Sequence, residues 1–377
     1  MTNALSLEDY IATFGEEPGY VDFGRAGPPG RAVKDEEYAQ TGLLQKARFG
    51  TIDSLYEQDE RVRDAISVLT RFRTDQIVFQ PNTSTGLMHA MFGVTGGVAM
   101  SAGEFPSITF AAVRAAQALG VVTPMWIETD HGRVTPGNLR EQLTASVAAV
   151  AVSLVDFRTG YLVDLEGIRQ VIGDRLLIVD AIQGFGVVDA PYEVADIVVS
   201  GGQKWTRAGW GTGFLALSDR ALDALTPVFS GFAATDEEGT PVDEVFPPTK
   251  GAGAFSISNP DPIAQARFAA ALEEIAAVSV PVINAAIADR VTRVIELADE
   301  YALPVISPRD ESERAGIVVV EPPADQLTVL TASLYNHGVT TTTRGGQVRL
   351  SPHATTDEET FEMLRASFLG YASAVRV

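Results

Sequence analysis

LLIVDAIQGFGVVDAPYEVADIVVSGGQKW, residues 176–205, holds two strand-like stretches, 176–181 and 196–201, with unbroken aliphatic runs at 176–179 and 197–199, each followed by residues that can do chemistry. The first run closes on Asp180, and the second turns through two glycines and Gln203 to reach Lys204. Aliphatic runs without polar alternation mark strands buried on both faces, the condition of a parallel sheet lying between helices. Working outward, QIVF (76–79), VAMSA (98–102), AVAVSLV (149–155) and GFLALS (213–218) read as further strands. FAAVRAAQALG (110–120) and DLEGIRQVIG (164–173) lie between them and carry apolar residues at helical spacing. The fold class is α/β, with a mainly parallel sheet flanked by helices.

Beyond residue 262 the pattern changes. Two long helical stretches, QARFAAALEEIAAVS and VINAAIADRVTRVIELADEYA, are separated around Pro281 and followed by the short strands GIVVVE and QVRLS. The expectation is a large α/β domain over 26–262 and a smaller α+β domain from 263–377, to which residues 1–25 return.

Composition narrows the function classes. A chain of 377 residues exceeds one ordinary core. Its 28 Lys and Arg against 49 Asp and Glu give a formal charge of -21, which repels nucleic acid and anionic membranes. With no cysteine there are no disulfides, thiolate metal sites or cysteine nucleophiles. The four histidines never fall at zinc-ligand spacing, so no metal is expected. The first twenty residues lack the basic and apolar regions of a signal peptide, and cytoplasm is the expected location.

In a parallel sheet, ligands sit beyond the carboxyl ends of the strands. Asp180, Gln183 and Lys204 occupy such ends, and NTSTGL (82–87) follows QIVFQ as the start of a helix. Asn82, Thr83, Ser84 and Thr85 offer hydroxyls and free amide N–H groups to a phosphate. These are the parts that a pyridoxal-5′-phosphate (PLP) site needs. A desolvated lysine attacks the aldehyde as the neutral amine, and an aspartate keeps the pyridine nitrogen protonated.

The ordered set NTSTG, VDAIQGFG, DIVVSGGQKW, GTGFL and VRLSPH resembles the class V aminotransferase family of PLP enzymes, fold type I. The likeness covers nearly the whole chain. It implies a seven-stranded sheet in the large domain, PLP as cofactor, and a homodimer with active sites at the interface. By that resemblance Lys204 is the Schiff-base lysine, Asp180 the pyridine-nitrogen partner and Gln183 the ring-oxygen partner. Ser84, Thr85 and Gln203 line the phosphate, with Thr83 beside them. Phe105, in GEFPSITF, is the ring over the cofactor face. Arg349, in QVRLSPH, grips the substrate carboxylate, with Arg344, in TTTRGG, as second candidate. Residues 251–259 are expected to reach the phosphate of the neighbouring subunit, and DFGRAGPPGR (22–31) to form a loop near the substrate.

The reaction expected is amino transfer on a small amino acid. The alternative is a PLP-dependent C–S lyase or a kynureninase-like hydrolase. VSLVDFRTGYLVDLEGI and PVFSGF resemble kynureninases, but Phe232, Ala233, Ala234 and Thr235 replace their aromatic and histidine residues, and Ile108 their aspartate. Cysteine desulfurases that resemble this family carry sulfur on a thiolate, which a chain without cysteine cannot do. A remote alternative, a nicotinamide-dependent dehydrogenase, rests on the glycine fragment GFGVVD (184–189).

Overall fold

The structure is a computed structural model that describes residues 4–236 and 243–375. Seven strands form the main sheet: β1 Ile77–Phe79, β2 Gly96–Ser101, β3 Val122–Ile127, β4 Val147–Ser153, β5 Leu176–Asp180, β6 Ile197–Gly201 and β7 Gly213–Leu217. Their order is β1-β7-β6-β5-β4-β2-β3, and only β7 runs against the rest. The carboxyl ends of the other six therefore share one edge.

Alternation within the aliphatic runs explains why both sheet faces are covered. Leu177 and Val179 join the core on one face, while Leu176 and Ile178 join the core under helices Thr83–Gly93 and Pro106–Leu119 on the other. Each such fully buried side chain contributes about 1.5–3 kcal/mol.

Six of the seven strands lie where aliphatic runs predict them. The seventh, β3, was not anticipated: its sequence VTPMWI contains Pro124, which cannot donate to a ladder, and an edge strand paired only to β2 tolerates that loss.

A second sheet has the order β8-β10-β9, with β8 Val318–Val320, β9 Thr342–Arg344 and β10 Gln347–Leu350, antiparallel throughout. Gly345 and Gly346, at φ +59° and +86°, make the two-residue turn between β9 and β10. Two consecutive left-handed residues match the twist of a tight hairpin, and glycine adopts them without strain.

The N-terminal segment joins this sheet through bridges from Tyr20 to Thr340 and from Asp22 to Ser351. Helix Pro262–Val278 packs on helices Arg31–Lys46 and Gln58–Thr70, so tertiary packing continues across residue 262. The break before helix Val280–Glu300 falls at Ser279, whose φ of +82° ends the first helix; Pro281 sits in the first turn of the second, where its missing N–H costs nothing. Among the described residues no single helix is long and apolar enough to cross a membrane; these two, bent by 83°, pass that test only as a pair.

GFGVVD forms a buried turn after β5 that opens no helix. It cannot present the free amides of a dinucleotide-binding loop, and the dehydrogenase alternative falls with it.

Candidate active site

Lys204 leaves β6 through a turn closed by two backbone bonds, Gly202 N–H to Thr212 O (2.9 Å) and Ala208 N–H to Gly202 O (2.7 Å). Its side chain is 9% exposed, and its nitrogen lies 5.4 Å from the ring centroid of Phe105. Burial pushes the amine down to about 8; Asp180 opposes that shift and Arg349 adds to it. A substantial neutral fraction near physiological pH is the form that attacks an aldehyde.

Asp180 ends β5 and is buried. Its Oδ1 accepts from the Ile182 amide at 3.1 Å, and its Oδ2 has no partner. Burial raises the carboxyl to about 6, against the pull of the Ile182 amide and Lys204. An unsatisfied buried oxygen costs about 1–3 kcal/mol, and a protonated pyridine nitrogen is a partner that would remove the cost.

The phosphate candidates stand at the start of helix Thr83–Gly93. Asn82 caps it, its Oδ1 accepting from the amide of Thr85 (3.0 Å) and from its hydroxyl (3.2 Å). Ser84 is exposed, and its hydroxyl is shared with Ser107 at 2.7 Å. The buried hydroxyl of Thr83 has no partner. Gly201 faces it: a Cβ there would stand 3.0 Å from Thr83 Oγ1 and 2.5 Å from Gln203 Oε1. Thr83, Gln203 and the helix N-terminus thus converge on a space cleared by a glycine, where amides and dipole favour an anion.

Gln183 is held at both ends of its amide. Its Nε2 donates to Gly24 O at 2.9 Å, and its Oε1 accepts from Trp205 Nε1 at 2.8 Å. One amide hydrogen remains for a ring oxygen.

Phe105, Gln183, Lys204, Arg344 and Arg349 line one cleft of about 570 Å³ between the two sheets. Phe105 is fixed edge-to-face against Phe157, with centroids 5.1 Å apart. Arg349 is held by Asp22 and Thr342, each 3.3 Å from its Nη2. Sequence reasoning therefore placed these five in one cavity, with Asp180 and the Thr83–Gln203 cluster beside it.

It missed several of their supports. Asp22 is almost fully buried beneath Arg349. Arg158, another wall residue, is paired with Asp156 at 2.6 Å. Glu104 turns inward to accept from the amide (3.0 Å) and hydroxyl (2.6 Å) of Ser153, and burial lifts its carboxyl to about 7. Arg207, also buried, donates to Pro28 O, pairs with Glu16 and lies 3.6 Å over the Phe14 ring, clamping the N-terminal segment onto the lysine loop. Position after a strand gives a signal for Glu104 and Arg158; nothing local signals Arg207, whose partners are distant in sequence.

Comparison with known proteins places this geometry. A search of curated protein sequences gave no match. The chain is similar in structure to the cysteine desulfurase of Thermococcus onnurineus (20% identity, 97% of this chain and 98% of that one, TM-score 0.85). It is also similar to the cystine C–S lyase C-DES solved with its product cysteine persulfide (18%, 93% and 97%, TM-score 0.82). A third, the cysteine desulfurase CsdA of Escherichia coli, aligns over 99% of this chain and 100% of its own (16%, TM-score 0.80). Those likenesses establish the PLP fold type I architecture. The family model described as "Aminotransferase class-V" matches residues 40–377. With an amine, an orphaned carboxylate oxygen and an anion cradle that fit PLP, the chain belongs to the class V aminotransferase family of PLP-dependent enzymes.

Proposed function

We propose that the protein is a PLP-dependent lyase that cleaves the Cβ–S bond of a cysteine-like amino acid and releases the sulfur fragment into solution. The observation that carries this reading is the combination of two facts. Solved structures of the same fold include cysteine desulfurases and a C–S lyase, and this chain has no cysteine on which to carry sulfur. Elimination with a freely diffusing sulfur product needs no such thiolate. This reading replaces the amino transfer expected from sequence.

PLP supplies the electron sink that makes a Cα proton removable. The chain supplies the rest. Asp180 would hold a proton on the ring nitrogen, Thr83 and Gln203 would bind the phosphate, and Phe105 would cover a face. Arg349 orients the α-carboxylate by two-pronged hydrogen bonding. The amine of Lys204 would take the Cα proton. The Cβ–S bond then breaks with its electron pair leaving on sulfur, and water converts the remaining three-carbon fragment to pyruvate and ammonia. Kynurenine-type hydrolysis is disfavoured, because Ile108 is fully buried in an apolar core where that chemistry has an aspartate.

We further propose a homodimer. Tyr38, Leu43, Leu44, Phe49, Ile52 and Tyr56, all within residues 31–56, expose large apolar surface.

Assay with cystine and S-alkylcysteines tests the reaction. Pyruvate and ammonia released without a keto acid support elimination; amino transfer that requires a keto acid, with no pyruvate formed from these substrates, overturns it.

A further inference from the structure

The wall of the cleft carries Arg25, Arg158, Lys204, Arg344 and Arg349, and no described carboxylate lines it. That is a concentrated positive surface on a chain of net charge -21. Two of the five have assigned counter-charges: Asp156 pairs with Arg158 and Asp22 with Arg349. Lys204 serves the cofactor. Arg25 and Arg344 make no ion pair among the described residues, and both push against Arg349 electrostatically. Arg344 lies over the ring of Phe157, 5.4 Å from its centroid, which leaves its N–H groups unspent.

The β9–β10 hairpin sets where these charges stand. Arg349 is paired in register with Thr342, and Gln347 with Arg344. Residues two apart along a strand, and those directly opposite, share a face. Arg349, Thr342, Arg344 and Gln347 are therefore on one face, while Val348 and Leu350 point into the core. Arg344 follows the Arg349 level by two residues, about 7 Å of strand. Arg349 takes the α-carboxylate, so a second cationic position lies further along the same face, with Arg25 exposed at the same cleft.

From this arrangement we infer that the enzyme selects amino acids whose side chain ends in a second anionic group, a carboxylate, sulfinate or sulfonate, held by Arg344 and Arg25. The inference rests on the proposed reading only in placing the α-carboxylate at Arg349. Charged hydrogen bonds from a guanidinium fork, at a site already rid of competing carboxylates, supply the discrimination. A neutral side chain leaves these two arginines of the cleft without a counter-ion.

The test compares S-carboxymethylcysteine with S-ethylcysteine on the holoenzyme, which differ in the terminal carboxylate and share the Cβ–S bond. The carboxylate substrate is expected to be favoured by about tenfold or more in kcat/KM, chiefly through KM. The preference should shrink with added salt. Arg344→Gln and Arg25→Gln each bring the ratio of the two substrates towards one, and Arg344→Lys restores part of it. A ratio near one in the wild type, or a ratio unchanged by both substitutions, overturns the inference. Binding separates this result from the lyase reading. Glutarate should bind the holoenzyme about tenfold more tightly than butyrate by calorimetry, whatever the reaction. If neither substrate yields pyruvate but glutarate shows that preference, the lyase reading fails and the second-anion site stands; equal binding of the two acids sinks the site.

Discussion

The amide of Gly27 donates to the carbonyl oxygen of Gln203 at 2.9 Å, so the N-terminal segment rides on the residue immediately before Lys204. A Cβ on Gly27 would stand 2.1 Å from the carbonyl oxygen of Lys204. Gly27→Ala must therefore displace either the segment or the lysine loop, at a cost of about 1–3 kcal/mol. The expected result is a folded protein whose PLP affinity drops by about tenfold or more. Gly15→Ala is the control, since a Cβ there meets nothing within 4 Å. Titration with PLP by absorbance, alongside circular dichroism, reads both; equal affinity in the two variants would show that the loop is not held from this side.

Asp180, in the proposed role of partner to the cofactor's ring nitrogen, would stabilise bound PLP at the expense of the apoprotein. Its folded carboxyl is raised from 3.8 to about 6, so the native state carries a penalty absent below the unfolded value and fully present once pH exceeds the folded one. Asp180→Asn keeps the acceptor for the Ile182 amide and removes that penalty. The apo variant should be more stable than wild type by roughly 1–3 kcal/mol at about pH 7.5, and by much less near pH 4.5. Its PLP affinity should fall. Urea unfolding of the two apoproteins at both pH values, with a PLP titration, checks each half.

If Lys204 is the amine that captures PLP, as proposed, its burial sets the pH dependence of that step. Only the neutral amine reacts, and burial lowers it to about 8, so the capture rate should rise with pH and level off above that value. Stopped-flow mixing of apoenzyme with PLP across the range measures it. Lys204→Ala should lose the yellow, borohydride-bleached chromophore. An inflection at the ordinary lysine value, or a chromophore that survives the substitution, would refute the assignment.

Phe49 and Tyr38 stand almost wholly exposed on the 31–56 stretch. Replacing both with aspartate introduces like charges on an apolar face and should convert the proposed dimer to monomer, as read by light scattering. A wild-type chain that is already monomeric with PLP bound would remove the dimer proposal.

The strands were legible where burial on both faces left continuous aliphatic runs, as in β5 and β6. They were illegible where one face is wet or an edge relaxes the demand on hydrogen bonding: β3 contains Pro124, and β9 is the polar triplet Thr342–Arg344. The pair Gly345 and Gly346 did carry a hairpin signal for β9, since consecutive glycines suit a two-residue turn.

Sequence by itself determined the α/β class and the residues that follow each strand, because strand direction and a shared carboxyl edge put Asp180, Gln183 and Lys204 on one side of the sheet. Only tertiary structure decided which groups are left unsatisfied. That Asp180 Oδ2 and Thr83 Oγ1 lack partners, and that Arg344 and Arg349 meet Lys204 and Arg25 in one cleft, depend on segments far apart in the chain, and desolvation and charge act through space rather than along sequence.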